Sequence, residues 1–182
     1  MKKILIAYFS RGGENMIDNN IVDIGEKGNT AKVSEVLQAQ LKEMGIEADL
    51  FEIKEKEAYP FSYEETSARA RQEKMMDARP AIVEGPEDFE SYDLVFLGYP
   101  NWWGTCPRPI LTFTSSHSFL SKTVIPFVTH GGQIFLYSID DIKATLNGGQ
   151  VIKGFAVSAS YMNGAEAVVK NWLEQNNSLI AS

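Results

Sequence analysis

The chain is poor in the residues that build metal and disulfide chemistry: it has one cysteine, Cys106, and two histidines, His117 and His130. One thiol cannot form an internal disulfide, and so small a set of soft ligands speaks against a structural or catalytic zinc site. The lone cysteine fits a reducing compartment, and a cytoplasmic location is the expectation. Positive charge is also in deficit, with 17 Lys and Arg against 24 Asp and Glu and a net charge of −7. A surface of that sign repels phosphodiester backbones, so nucleic acid is not an expected partner, whereas basic protein surfaces are. No apolar run is long enough to span a bilayer. The opening Met-Lys-Lys followed by ILIAYF imitates a signal peptide, but the run is short and no small-residue cleavage pattern follows, so it reads as a strand. No repeat, low-complexity tract or linker interrupts residues 1–182. That length suits one well-filled core, and a single domain is expected.

Five apolar, β-rich runs stand out: residues 3–9, 47–53, 93–99, 122–128 and 150–159. The first, third and fourth are apolar almost throughout, as strands covered on both faces are; the second carries more charge, as an edge strand would. Helical patterns fill the intervals. Val33, Val36, Leu37, Leu41 and Met44 recur at three- and four-residue steps, and Gly45 closes that helix. Ser62-Tyr-Glu-Glu65 reads as a capping box opening a charged helix that runs to about Arg79-Pro80. Pro107 to about His117, a short segment from Ser138 and a last one from Asn163 complete the set. Strand–helix alternation implies right-handed crossovers and a doubly wound, three-layer α/β sandwich. Five parallel strands fit the order 2-1-3-4-5, with a ligand crevice beyond the carboxyl ends of strands one and three.

Three loops surround that crevice. The first runs from Ser10 to Thr30, where such a junction usually takes about two to six residues. Its ends place Ser10 with Gly28-Asn29-Thr30 at a helix N-terminus, an anion site that needs no lysine. The alternative is that Asn29 or Thr30 merely caps the helix. Neither G-x-G-x-x-G nor a Walker spacing is present. The second loop, Tyr99 to Thr105, holds the adjacent Trp102 and Trp103, which suggest a wall for a flat aromatic ring. Alternatively one tryptophan packs under the loop and the other lies outside. Gly104 lets backbone approach a ligand closely. The third loop, Thr129-His130-Gly131-Gly132, offers hydrogen bonds to the edge of a heterocycle. His130, His117 and Cys106 read as structural, and Asp140 and Asp141 as helix-start residues. A phosphoacceptor receiver domain would need carboxylates where Ser10 and Pro100 stand.

AYFSR, GNT, LGYPNWWGT, IPFVTHGG and SIDDIK together resemble the flavodoxin family, in its bacterial flavodoxin-like branch, over nearly all of residues 3–173. The resemblance implies a flavodoxin-like fold and FMN as cofactor. It places Ser10, Asn29 and Thr30 on the phosphate, with Arg11 and Ala31 contributing backbone. Pro100, Asn101, Trp102, Trp103 and Gly104 would flank the isoalloxazine on one side, and Thr129, His130, Gly131 and Gly132 on the other. The Gly104 carbonyl is the candidate to turn towards the ring's N5. An electron carrier docking on basic redox partners is implied, as a monomer or homodimer, with no side-chain acid, base or nucleophile. The alternative on the same fold is an NAD(P)H-dependent quinone or nitro reductase acting on a small acceptor. One departure stands out: Gly12 to about Lys27 intervene within the phosphate loop, whose ends must still converge. Met16, Ile17, Ile21, Val22 and Ile24 give this insertion too many apolar residues for a solvated tail. It is either a flap beside the cofactor or a self-packed surface loop.

Overall fold

The computed structural model describes residues 2–181. Strand β1 (Ile4–Tyr8) lies inside the sheet, and Ile4, Leu5, Ile6 and Ala7 are each at most 1% exposed because side chains of both parities meet a helix layer. It is followed by two short strands, β2 (Glu14–Ile17) and β3 (Asn20–Asp23), then helix α1 (Asn29–Glu43) and strand β4 (Ala48–Glu52). Helix α2 (Tyr63–Met75), β5 (Leu94–Pro100), α3 (Arg108–Ser116), β6 (Thr123–His130) and α4 (Ser138–Thr145) come next. The chain ends with β7 (Gln150–Val151), β8 (Phe155–Ser158), α5 (Ala165–Gln175) and α6 (Asn177–Ala181).

The main sheet is parallel, in the order β4-β1-β5-β6-β7, with β8 also paired to β6. This is the 2-1-3-4-5 order expected from the alternation of elements. Leu5, Ala7, Val95 and Leu97 face one layer, where Ile110 and Phe113 of α3 and Ile142 of α4 cover them. Ile4, Ile6, Phe96 and Phe127 face the other, against Val33, Leu37 and Leu41 of α1 and Val169 and Trp172 of α5. Two apolar cores on one sheet complete the three layers. No helix among the described residues is long and apolar enough to cross a membrane.

Three features differ from the sequence reading. Helix α2 ends at Met75, short of the expected Arg79-Pro80, and Asp77 just beyond it is left-handed at φ 47°. The run 150–159 is a broken strand: β7 pairs with Thr123 and Val124, β8 with Phe127 to His130, and the gap falls opposite Pro126. Proline offers no N–H to a ladder, and Gly154 passes so close to it that a methyl group there would sit 1.6 Å from the Pro126 carbonyl oxygen. The insertion after β1 is an ordered antiparallel hairpin, β2 against β3, with Ile17 opposite Asn20. Its two-residue turn uses Asp18 and Asn19, both left-handed at φ 49° and 63°, as the turn that matches hairpin twist requires. Asp and Asn are among the few non-glycine residues that adopt this conformation readily.

Gly154→Ala should therefore destabilise the fold by about 3 kcal/mol, since backbone, not a flexible side chain, blocks the new methyl. Gly45→Ala, in open space at φ 77°, should cost only about 1 kcal/mol. Urea unfolding of the two variants measures the difference.

Candidate functional site

The first wall is built where β1 hands over to α1. Gly28 is the N-cap of α1 and carries no side chain to satisfy the helix, so Ser10 supplies it from across the hairpin: its Oγ accepts the Ala31 N–H at 3.0 Å. A methyl on Gly28 would lie 2.3 Å from Ser10 Oγ and 2.4 Å from the Arg11 carbonyl. Only glycine permits that approach. The hairpin closes just beyond, with Gly13 N–H donating to Gly25 O at 2.7 Å and Ile24 N–H to Gly13 O at 3.0 Å. The two ends of the interrupted loop thus meet. Neither Asn29 nor Thr30 serves as the cap. The Thr30 hydroxyl is buried and shares a 2.8 Å hydrogen bond with the Thr129 hydroxyl, tying the first loop to the end of β6. Among the described residues the Asn29 side chain makes no hydrogen bond, and the backbone N–H groups of Asn29 and Thr30 have no partner. An anion can take both.

Arg11 does not aim its charge at this cradle. Its Nε and Nη2 donate to Pro60 O at 3.0 and 2.8 Å, Nη2 also to Phe61 O at 2.6 Å, and Nη1 to Glu14 O at 2.6 Å. The guanidinium fastens the approach to α2 onto the hairpin. Burial lowers its pKa, against the pull of Glu14 and Glu55.

The second wall is a tight turn. Trp102 and Thr105 exchange backbone hydrogen bonds of 2.9 and 3.1 Å, with Trp103 and Gly104 between them at φ 54° and 80°. A tryptophan in the left-handed region costs roughly 1–3 kcal/mol and persists only when its surroundings hold it. They do so from three sides. Trp103 Nε1 donates to Ser67 O at 2.9 Å, Lys74 Nζ donates to Trp103 O at 2.6 Å, and Asn101 Oδ1 accepts Gly104 N–H at 3.1 Å. The Gly104 carbonyl is taken by Tyr137 N–H at 3.0 Å, so here it is not free to turn. Trp102 packs edge-on against Tyr59 and Phe9, with centroids 5.0 and 5.4 Å away. Trp103 is 47% exposed. One ring lies under the loop and the other outside, yet both border the same cavity.

That cavity, of about 380 Å³, falls within the usual range for small-molecule sites. Ser10, Arg11, Asn29 and Thr30 line it from the first loop, and Pro100, Asn101, Trp102 and Trp103 from the second. Thr129, His130 and Gly131 line it from the third, while Ala31, Gly104 and Gly132 do not. His130 Nδ1 accepts Gly132 N–H at 3.0 Å, which leaves the ring proton on Nε2. Burial lowers the His130 pKa, so the ring is neutral at pH 7.

Two further walls close the cavity: that of α2 escaped the sequence reading, while that of the hairpin corresponds to the flap offered there for the insertion. Tyr63, Thr66, Ser67 and Ala70 of α2 face the cavity, a stripe at helical spacing that its polar composition conceals. Asn15, Met16, Asp18 and Asn19 of the hairpin supply the other.

The sequence model of the flavodoxin family, described as Flavodoxin, matches residues 3–176. A solved protein from Bacteroides eggerthii, described as a flavoprotein, is 30% identical, with 100% of this chain and 99% of that one covered and a TM-score of 0.70. A Lactobacillus acidophilus flavoprotein solved in complex with FMN is 23% identical over 94% of this chain and 99% of its own, with a TM-score of 0.66. A Fusobacterium nucleatum flavodoxin bound to flavin mononucleotide shares the fold at 13% identity, 99% coverage of both chains and a TM-score of 0.58. No curated protein matches the chain. The match along nearly its whole length, on this fold and around this crevice, makes the chain a member of the flavodoxin family.

Proposed function

We propose that the cavity binds FMN and that the protein carries electrons between redox partners. The observation that carries this reading is one cavity with a cation-free anion cradle at one wall and a tryptophan turn at another. A phosphomonoester suits the cradle, which offers the N–H groups of Asn29 and Thr30, the Asn29 amide, and the Ser10 and Thr30 hydroxyls. The Arg11 backbone borders the cradle, and Ala31 acts indirectly by fixing Ser10. Pro100 to Trp103 and Thr129 to Gly131 would flank the isoalloxazine, with His130 Nε2 donating to the heterocycle's polar edge.

FMN supplies one- and two-electron transfer when bound. The chain binds and orients it, excludes water with Trp102, and sets the local field. Aromatic walls and a net charge of −7 disfavour added negative charge and so lower the potential. No side chain is needed as acid, base or nucleophile. The negative surface also favours redox partners with basic docking faces.

The visible spectrum of the purified protein, followed by NADPH with and without a quinone, tests the reading. Flavin absorption with little steady NADPH oxidation is expected. Rapid quinone-dependent turnover would replace the carrier by a reductase, and a colourless protein that FMN cannot reconstitute would remove both.

Thr30→Ala deletes a hydroxyl that serves both the cradle and Thr129. FMN affinity should fall roughly ten- to a hundred-fold, as for a lost hydrogen bond to a charged group. The apo fold should lose only about 1 kcal/mol. Fluorescence titration of apoprotein and urea unfolding give the two numbers.

The tryptophans should separate cleanly. Trp103→Ala should raise bound-flavin fluorescence and shift the midpoint potential with little loss of stability, since the ring is largely outside the core. Trp102→Ala should cost about 3 kcal/mol by emptying the space between Phe9 and Tyr59. Equal, purely structural effects would reject the ring-wall assignment.

A further inference from the structure

The hairpin β2–β3 crosses the mouth of the cavity. It leaves the sheet at the end of β1 and reaches Ser160, just past β8, although β5 and β6 lie between those strands. At its base Gly13 and Gly25 are hydrogen-bonded, and the Arg11 guanidinium holds Glu14 O. Along its flank Glu14 N–H donates to Phe61 O at 3.1 Å, and the Glu14 carboxylate accepts Tyr63 N–H at 3.0 Å. Near its middle the Met16 carbonyl lies 3.8 Å from where a side chain on Gly131 would begin. At its tip one side-chain bond reaches the far side: Ser160 Oγ donates to Asp18 Oδ1 at 2.5 Å.

The hairpin has no core of its own. Every residue of β3 is exposed, with Ile21 and Val22 at 46% and 40%, and a two-stranded ribbon is marginal in isolation. Its closed position therefore depends on its fastenings. Those at the base are numerous and mostly backbone; the one at the tip is a single exposed contact. We infer that β2–β3 is a strap over the cofactor cavity, with the Asp18–Ser160 hydrogen bond as the latch that sets how fast FMN exchanges. The inference rests on the FMN reading above.

A gate has a kinetic signature that an ordinary contact lacks. FMN must pass the strap both entering and leaving, and the latch joins two protein groups. Weakening it lowers the opening cost in both directions. A side chain that merely held the ligand would change dissociation alone and weaken binding. Ser160→Ala removes the donor, while Asp18→Asn weakens the acceptor and keeps a residue suited to the left-handed turn.

Stopped-flow association of FMN with apoprotein, and dissociation followed by recovery of flavin fluorescence on dilution, read both rates. Each variant should raise both by about three- to tenfold, for one exposed charge-assisted hydrogen bond. For Ser160→Ala, which leaves the charges lining the cavity unchanged, the dissociation constant should stay within about twofold, because the latch is common to free and bound protein. The double variant should be no faster than Ser160→Ala, since both remove one interaction. Unchanged rates in folded variants, or faster dissociation alone with weaker binding, would overturn the latch and leave the FMN reading standing. An unaltered protein that binds no FMN would remove the cofactor reading and the strap with it.

Discussion

The site depends on the contact of Gly28 with Ser10 and Arg11. The chain leaves β1, makes a complete hairpin, and must return to within contact distance of its point of departure. Only a residue without a side chain fits, because a methyl on Gly28 would stand 2.3 Å from Ser10 Oγ. From that closure follow the capping of α1 by a serine outside the helix, the open N–H groups at its first turn, and the reach of Thr30 to Thr129. The last of these spans the sheet's crevice and fixes the spacing between the first and third loops. An insertion can be large here without cost to the cradle, because closure entropy grows only slowly with loop length.

The opposite wall is held by a different means. Trp103 and Gly104 occupy a conformation that a bulky residue avoids, and the Trp103 ring, 47% exposed, belongs to neither apolar core. Polar contacts offset the strain: Ser67 and Lys74 from α2, Asn101 from the loop itself and Tyr137 from the start of α4. A typical hydrogen bond contributes about 1 kcal/mol net, so several are needed to hold one such residue. This accounts for the composition of α2, whose buried residues are only Thr66 and Ala70. Its polar face clamps the turn and lines the cavity, and a wide apolar face would do neither.

The sheet and its order were legible because burial on both faces writes itself as continuous apolar runs, as in KILIAYF and DLVFLGY. The three loops followed from the strand order. The break opposite Pro126 was not legible, since it depends on a partner strand far away in sequence. Met16, Ile21 and Val22 argued against a solvated insertion, but the hairpin's register and its path over the cavity depend on Ser160 and Gly131, well outside any local window. The division between Trp102 and Trp103 was equally hidden, because Phe9 and Tyr59 choose the inner ring. Arg11 stood in the right place, yet its guanidinium turned out to serve Pro60 and Phe61.

That use of Arg11 shapes the electrostatics of the whole site. It is the only cationic residue on the cavity wall among the described residues, and its donors are committed to backbone carbonyls and to the hairpin. Asp18 brings a carboxylate to the same cavity. An anion entering a protein of net charge −7 is therefore met by oriented N–H groups, hydroxyls and an amide, with no free counter-charge. Such dipoles act within the first turn of a helix and fall away quickly beyond it. Retention then depends on closeness and enclosure more than on long-range attraction, and the chain supplies both: Gly28 gives the close approach, and the hairpin encloses what has approached.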